Sequence, residues 1–153
     1  MLELKNMEGH VSIKCEIVSY EFPENPADDW CLLRVKIKQG ENAFEKVDPA
    51  LEARDVAQLY NWFKSLSENR LPRFAHLEFT EPCISFEFLA CKNERVRFSI
   101  NLSHELKPNF ELEQFNSSNT DWCIVFELNT DGFSEVLKGI ERTINKYPSR
   151  VKS

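Results

Sequence analysis

Apolar and polar residues alternate at period two over most of this chain. That alternation predicts strands, because successive side chains on a strand point to opposite faces. Val11, Ile13, Cys15 and Ile17 alternate with Ser12, Lys14 and Glu16, and the pattern runs on to Tyr20-Glu21-Phe22. After the acidic, proline-bearing loop of residues 23–29, Cys31, Leu33, Val35 and Ile37 alternate with Leu32, Arg34, Lys36 and Lys38. Gln39-Gly40-Glu41-Asn42 reads as a turn, and residues 43–47 as a short returning strand. The most regular stretch surrounds Pro82. Leu77 and Phe79 make one apolar row before it, and Ile84, Phe86, Phe88 and Ala90 make another after it. Pro82 cannot donate to a ladder and restricts Glu81, so it marks the joint of two strands. Val96, Phe98, Ile100 and Leu102 alternate with Arg95, Arg97, Ser99 and Asn101, and Trp122, Ile124, Phe126 and Leu128 form the last row.

Two stretches change period. Asp48-Pro49 reads as a helix start, with Asp48 as the cap and Pro49 in the first helical position. Ala53, Val56, Leu59, Tyr60, Phe63 and Leu66 then recur at helical spacing, Trp62 falls half-buried at the edge of that stripe, and the helix ends near Glu68. Thr130 or Asp131 caps a second helix with the stripe Phe133, Val136, Leu137, Ile140, Ile144 and Tyr147. Pro148 stops it, and the basic tail with Arg150 and Lys152 suits its negative end. Short turns between alternating strands favour antiparallel pairing, dry on one face, and both helical stripes must be buried there. The expected fold is α+β: an antiparallel sheet of about six to seven strands with two α-helices packed on one face. The wet face would carry Lys14, Glu16, Arg34, Lys36, Glu78, Glu87, Arg95, Arg97 and Glu127, a salt-bridged surface that needs no function to explain it.

At 153 residues the chain has room for one core, and a single domain over residues 1–153 is expected. Its 25 acidic and 19 basic residues give a net charge of −6. That balance argues against direct nucleic-acid binding, which needs a basic footprint, and against an anionic membrane. It suits a basic protein partner, or solubility alone. The first residues lack a secretory leader pattern and no stretch is apolar enough for a membrane span, so a cytoplasmic location is expected. The five cysteines (Cys15, Cys31, Cys83, Cys91, Cys123) are odd in number, with no C-x-x-C pair, which fits reduced thiols.

Signals for chemistry are weak. His10, His76 and His104 lie in separate segments without metal-ligand spacing, and no metal or other cofactor is expected. No G-x-S-x-G, Walker loop or G-x-G-x-x-G occurs, and there are four glycines in all. A Cys–His pair meeting in space stays open, but Cys15 and Cys31 sit in apolar rows and Cys83, after a proline turn, reads as more exposed. No catalytic residue is assigned, and an enzyme is not expected. A binding module survives. Two acidic loops each end in Asp-Trp at the start of a strand: residues 24–29 before Trp30 and residues 111–121 before Trp122. Tryptophan is a preferred interface anchor and carboxylates steer basic partners. The candidate partner-binding residues are Glu24, Asp28, Asp29, Trp30, Glu111, Glu113 and Asp121. The plainer alternative is that both tryptophans cap the core and the loops are merely polar.

Several segments, taken in order, resemble one family. They are Ile17-Val18-Ser19-Tyr20-Glu21-Phe22-Pro23, Asp28-Asp29-Trp30-Cys31-Leu32-Leu33-Arg34-Val35-Lys36-Ile37, Asp48-Pro49-Ala50-Leu51 with Leu59, Trp62 and Phe63, the ten residues from Phe79 to Phe88, Phe126-Glu127-Leu128, and Lys146-Tyr147-Pro148-Ser149-Arg150. This series resembles the WapI-type bacterial immunity proteins over most of residues 13–150. Cys83 stands where the family pattern leads one to expect a polar residue. The resemblance implies a small cytoplasmic antitoxin that neutralises a contact-delivered or polymorphic toxin by stoichiometric binding. It implies a cognate toxin domain as partner. The namesake's toxin is a nuclease, so a basic nuclease is one form that partner takes. Apart from the resemblance, the scattered His and Cys lead to the expectation of a monomer or weak homodimer without metal. The resemblance assigns no contact residues, so the sites rest on the loop argument. Two other readings stay open: a housekeeping protein-interaction domain, and a cryptic Cys or carboxylate hydrolase, which requires a concave pocket holding a strongly shifted titratable group.

Overall fold

The computed structural model describes residues 1–113 and 122–151. Among these residues the order is β1 (Leu2–Lys5), β2 (Val11–Tyr20), β3 (Trp30–Gln39), β4 (Asn42–Glu52), α1 (Ala53–Ser67), β5 (His76–Leu77), β6 (Ile84–Lys92), β7 (Arg95–Leu102), a 3-10 turn (His104–Leu106), β8 (Trp122–Leu128) and α2 (Thr130–Lys146). The fold is α+β with antiparallel strands and two helices. The strands divide into two four-stranded sheets, β1-β2-β3-β4 and β5-β6-β7-β8, rather than the one sheet of six to seven expected. The extra strand β1 was hidden by its charged residues: Leu2 and Leu4 point inward while Glu3 and Lys5 face out.

One apolar core joins both sheets and both helices. Phe63 of α1 meets Phe86 and Phe98 of the second sheet at ring-centroid distances of 5.9 and 5.3 Å, and Phe133 of α2 at 6.5 Å. Phe98 stacks on Phe126 across the β7–β8 pair. Trp62 is not half-buried but 3% exposed. Its ring packs on Phe63, Phe86 and Phe98, and its indole N–H donates to the Phe74 carbonyl at 2.9 Å, which is how a large amphipathic ring is buried without an orphaned donor.

Helix α1 does not begin at Asp48-Pro49. β4 runs on through them, and the helix starts at Ala53 with Asp55 accepting the Glu52 N–H at 2.8 Å. Pro49 is tolerated because β4 is an edge strand and its register with β3 slips there, between Cys31↔Leu51 and Leu33↔Asp48, so no ladder donor is missed. The cap of α2 is Asn129, whose side chain accepts the Gly132 N–H at 2.9 Å, one residue earlier than expected. The wet faces carry cross-strand pairs: Arg34–Glu16 at 2.8 Å, Lys36–Glu45 at 3.3 Å, and Glu127 shared by Arg95 and Arg97 at 3.3 and 3.1 Å. Among the described residues no helix is long and apolar enough to cross a membrane.

Candidate partner-binding margin

The two acidic loops lie at opposite ends of the β3–β4 pair. The first meets β3 at its start, where the Glu21 N–H donates to the Trp30 carbonyl at 2.7 Å. The second meets its end: Gln39 donates to the Glu111 carbonyl and accepts the Glu113 N–H, both at 2.8 Å. Nine strand steps of ~3.3 Å separate Trp30 from Gln39, about 30 Å in all. Glu24, Glu111 and Glu113 are exposed and Asp28 and Trp30 half-buried. Asp121 lies outside the described residues.

Further carboxylates occupy the middle of this margin. Asp48 is the register partner of buried Leu33, so it stands on the inner face of β4, at the seam with the second sheet. There Cys83 places its Sγ 3.5 Å from Glu105 Oε2 and 3.9 Å from Asp48 Oδ2. A thiol has one hydrogen to give, and Glu105 is the nearer acceptor. Burial, then the negative charge of Glu105, pushes the Asp48 carboxyl above the ordinary aspartate range. Burial, then the charges of Asp28 and Asp48, does the same to Glu21. Glu105 is held low by its own backbone N–H and by the Cys83 thiol. Asp28 and Asp48 thus both act on Glu21, and Glu105 on Asp48. Lys46 opposes these charges at Asp48 and Glu105, and His104 does so at Glu105.

One expected site residue, Asp29, and the tryptophan after the second loop, Trp122, have other work. Asp29 is 5% exposed. Its carboxylate accepts the Arg150 and Val151 N–H groups at 2.7 and 3.4 Å and the Ser149 hydroxyl, and these bonds hold its pKa low against its burial. Trp122 caps the core: it is buried, edge-on to Phe110 at 5.2 Å, and donates to the Phe110 carbonyl. Cys83 is buried rather than exposed, because Ser103 closes over the Pro82 turn with its N–H on the Cys83 carbonyl and its hydroxyl on the Pro82 carbonyl. Glu21, Asp48 and Glu105 were missed by the loop argument. The one signal in the sequence was a carboxylate, Asp48, in the inward row of a strand.

Burial and the neighbouring carboxylates push the Cys83 thiol up to about 12, the reverse of what activates a nucleophile. The largest groove described, about 640 Å³ between β1 and α2, is lined by residues such as Met1, Glu3, Lys14, Glu135 and Arg142 and by none of the margin carboxylates. Among the described residues no group of three or more His, Cys, Asp or Glu is placed to hold a metal ion. No curated protein and no solved structure matches the chain. The sequence model of the immunity protein WapI-like family matches residues 3–148, nearly the whole length of the α+β fold described above. The chain therefore belongs to the immunity protein WapI-like family.

Proposed function

We propose that this immunity protein neutralises a bacterial toxin by one-to-one binding without turnover, and that the acidic margin of β3 and β4 is the docking surface. The toxin surface it fits is basic, as around the active site of a nuclease that must hold phosphates. The protein works as a single cytoplasmic domain, monomeric or weakly dimeric. The observation that carries this reading is the seam where Cys83 Sγ lies 3.5 Å from Glu105 and 3.9 Å from Asp48, with the Asp48 and Glu21 carboxyls raised by burial and by their acidic neighbours. Like charges held together cost folding stability, so a surface that keeps them is using them. Exposed Glu24 at one end and Glu111 and Glu113 at the other lengthen the same negative field. Such a field attracts a basic partner from a distance and raises the association rate, most at low salt.

The test is association kinetics with the toxin domain encoded beside this protein, at two salt concentrations. Replacing Glu24, Asp28 and Glu111 together by Lys should slow association about ten-fold or more, chiefly at low salt. Asp29 is left out of this set because its loss would release the C-terminal tail. The opposite change, Lys36, Arg95 and Arg97 to Glu, should have much less effect, since those cations are already paired on the sheet faces. If the margin variant binds like the parent while the sheet-face variant fails, the docking surface is a sheet face.

A further inference from the structure

The loop between β2 and β3 has few bonds of its own. Its internal bonds are two short turns, Asn25 N–H to the Phe22 carbonyl and Asp28 N–H to the Asn25 carbonyl, with the Asn25 and Asp28 side chains accepting from Ala27 and Trp30. Above the Glu21 N–H to Trp30 carbonyl bond at its base, what joins its two arms comes from the far end of the chain. The Arg150 guanidinium donates to the Pro23 carbonyl at 2.9 Å, the Phe22 carbonyl at 3.2 Å and the Asp28 carbonyl. Its Cζ lies over the Tyr20 ring, 3.7 Å from the centroid. Around it, Tyr20 donates its hydroxyl to the Pro148 carbonyl, Tyr147 donates to the Val18 carbonyl at 2.9 Å, and Asp29 gathers three donors from residues 149–151.

We propose that residues 147–151 are a brace that holds the 21–29 loop in its binding shape, with Arg150 and Asp29 as positioning residues. The proposal rests on that loop being part of the docking surface. Three carbonyls from both arms of the loop converge on the two terminal nitrogens of one planar guanidinium, a span wider than the single nitrogen of an ammonium offers. Ordering the loop before the partner arrives removes an entropic cost from binding, so the brace raises affinity without a contact of its own. Arg150 also departs from the role expected of the basic tail: its charge serves the loop and not the negative end of α2.

The experiment needs no partner at first. In Arg150→Gln, amide exchange at Asn25 and Asp28 should quicken at least ten-fold while amides of β6 and β7 exchange as in the parent. Arg150→Lys keeps the charge but not the fork and should fall between the two; it also carries the test if Arg150→Gln fails to fold. A residue that merely adds to overall stability would quicken exchange evenly across the sheets, and that result, or unchanged exchange at Asn25 and Asp28, overturns the brace. The toxin domain encoded beside the protein supplies the second arm. A loosened loop with weakened binding supports the proposal in full. A loosened loop with unchanged binding overturns the loop as docking surface and leaves the brace standing.

Discussion

Asp48 on β4 and Cys83 in the turn just before β6 stand 35 positions apart in the chain, with the thiol sulfur 3.9 Å from the carboxylate. The contact sits at the seam between the sheets, and its electrostatic consequence has a definite sign. The folded-state pKa of Asp48 is raised, so the folded protein binds more protons than the unfolded chain between the ordinary aspartate value and the raised one. The ionised carboxylate therefore costs stability at neutral pH, and the cost is recovered as pH falls through that interval. Asp48→Asn removes the charge and keeps the shape of the side chain, while Glu105 remains the nearer acceptor for the thiol. Its denaturation midpoint should exceed that of the parent at neutral pH, with the difference shrinking as pH drops toward the ordinary carboxyl range. A lower midpoint at neutral pH would mean the charge is satisfied in the folded protein.

Phe98 lies at the centre of the aromatic core, touching Trp62, Phe63 and Phe126. Phe98→Ala should cost about 3–5 kcal/mol, because neighbours drawn from a helix and a facing strand cannot all collapse into the gap. Equilibrium denaturation measures it. A loss under about 1 kcal/mol would place that row at the surface.

All five cysteines are free thiols. Burial pushes Cys15 and Cys83 up to about 12 and Cys31 to about 11, while Cys91 is exposed on β6. A thiol reagent at mildly alkaline pH should label Cys91 promptly and leave Cys15, Cys31 and Cys83 untouched until denaturant is added. The total should then reach five. Rapid native labelling of Cys83 would contradict its place under Ser103.

Asp55 holds the start of α1 by accepting the Glu52 N–H at 2.8 Å. Removing such a cap usually costs about 0.5–2 kcal/mol, so Asp55→Ala should lower stability by that amount and Asp55→Asn by less. Thermal or chemical denaturation decides it. No change in either variant would show that the β4–α1 junction is fixed by Leu51 and Ala53 packing alone.

Periodicity made much of the fold legible in advance. β2, β3, β6, β7 and β8 and both helical stripes follow from rows such as Val11–Ile17 and Phe133–Ile140, because burial on one face leaves that mark in the sequence. Asp48-Pro49 misled because the same two residues suit a helix start and a bulged edge strand equally well. Only the pairing of β4 with β3 decides between them, and that pairing is not local. The division into two sheets was hidden for the same reason. At the candidate site, the acidic loops could be read from composition. The approach of Asp48 and Glu105 to Cys83 could not, since it depends on which sheet margins touch. Asp29 looked like its neighbour Asp28, yet one carboxylate anchors the tail and the other sits half-buried at the margin.

The three carbonyls that Arg150 holds belong to the backbone of Phe22, Pro23 and Asp28. A bond to a main-chain oxygen is indifferent to the side chain of the residue that carries it. The loop's course is thus set from outside, and exposed positions such as Glu24 and Ala27 can be exchanged without disturbing it. A lineage facing a changed toxin could rewrite its recognition residues there one at a time, each new variant inheriting a loop already in the right place.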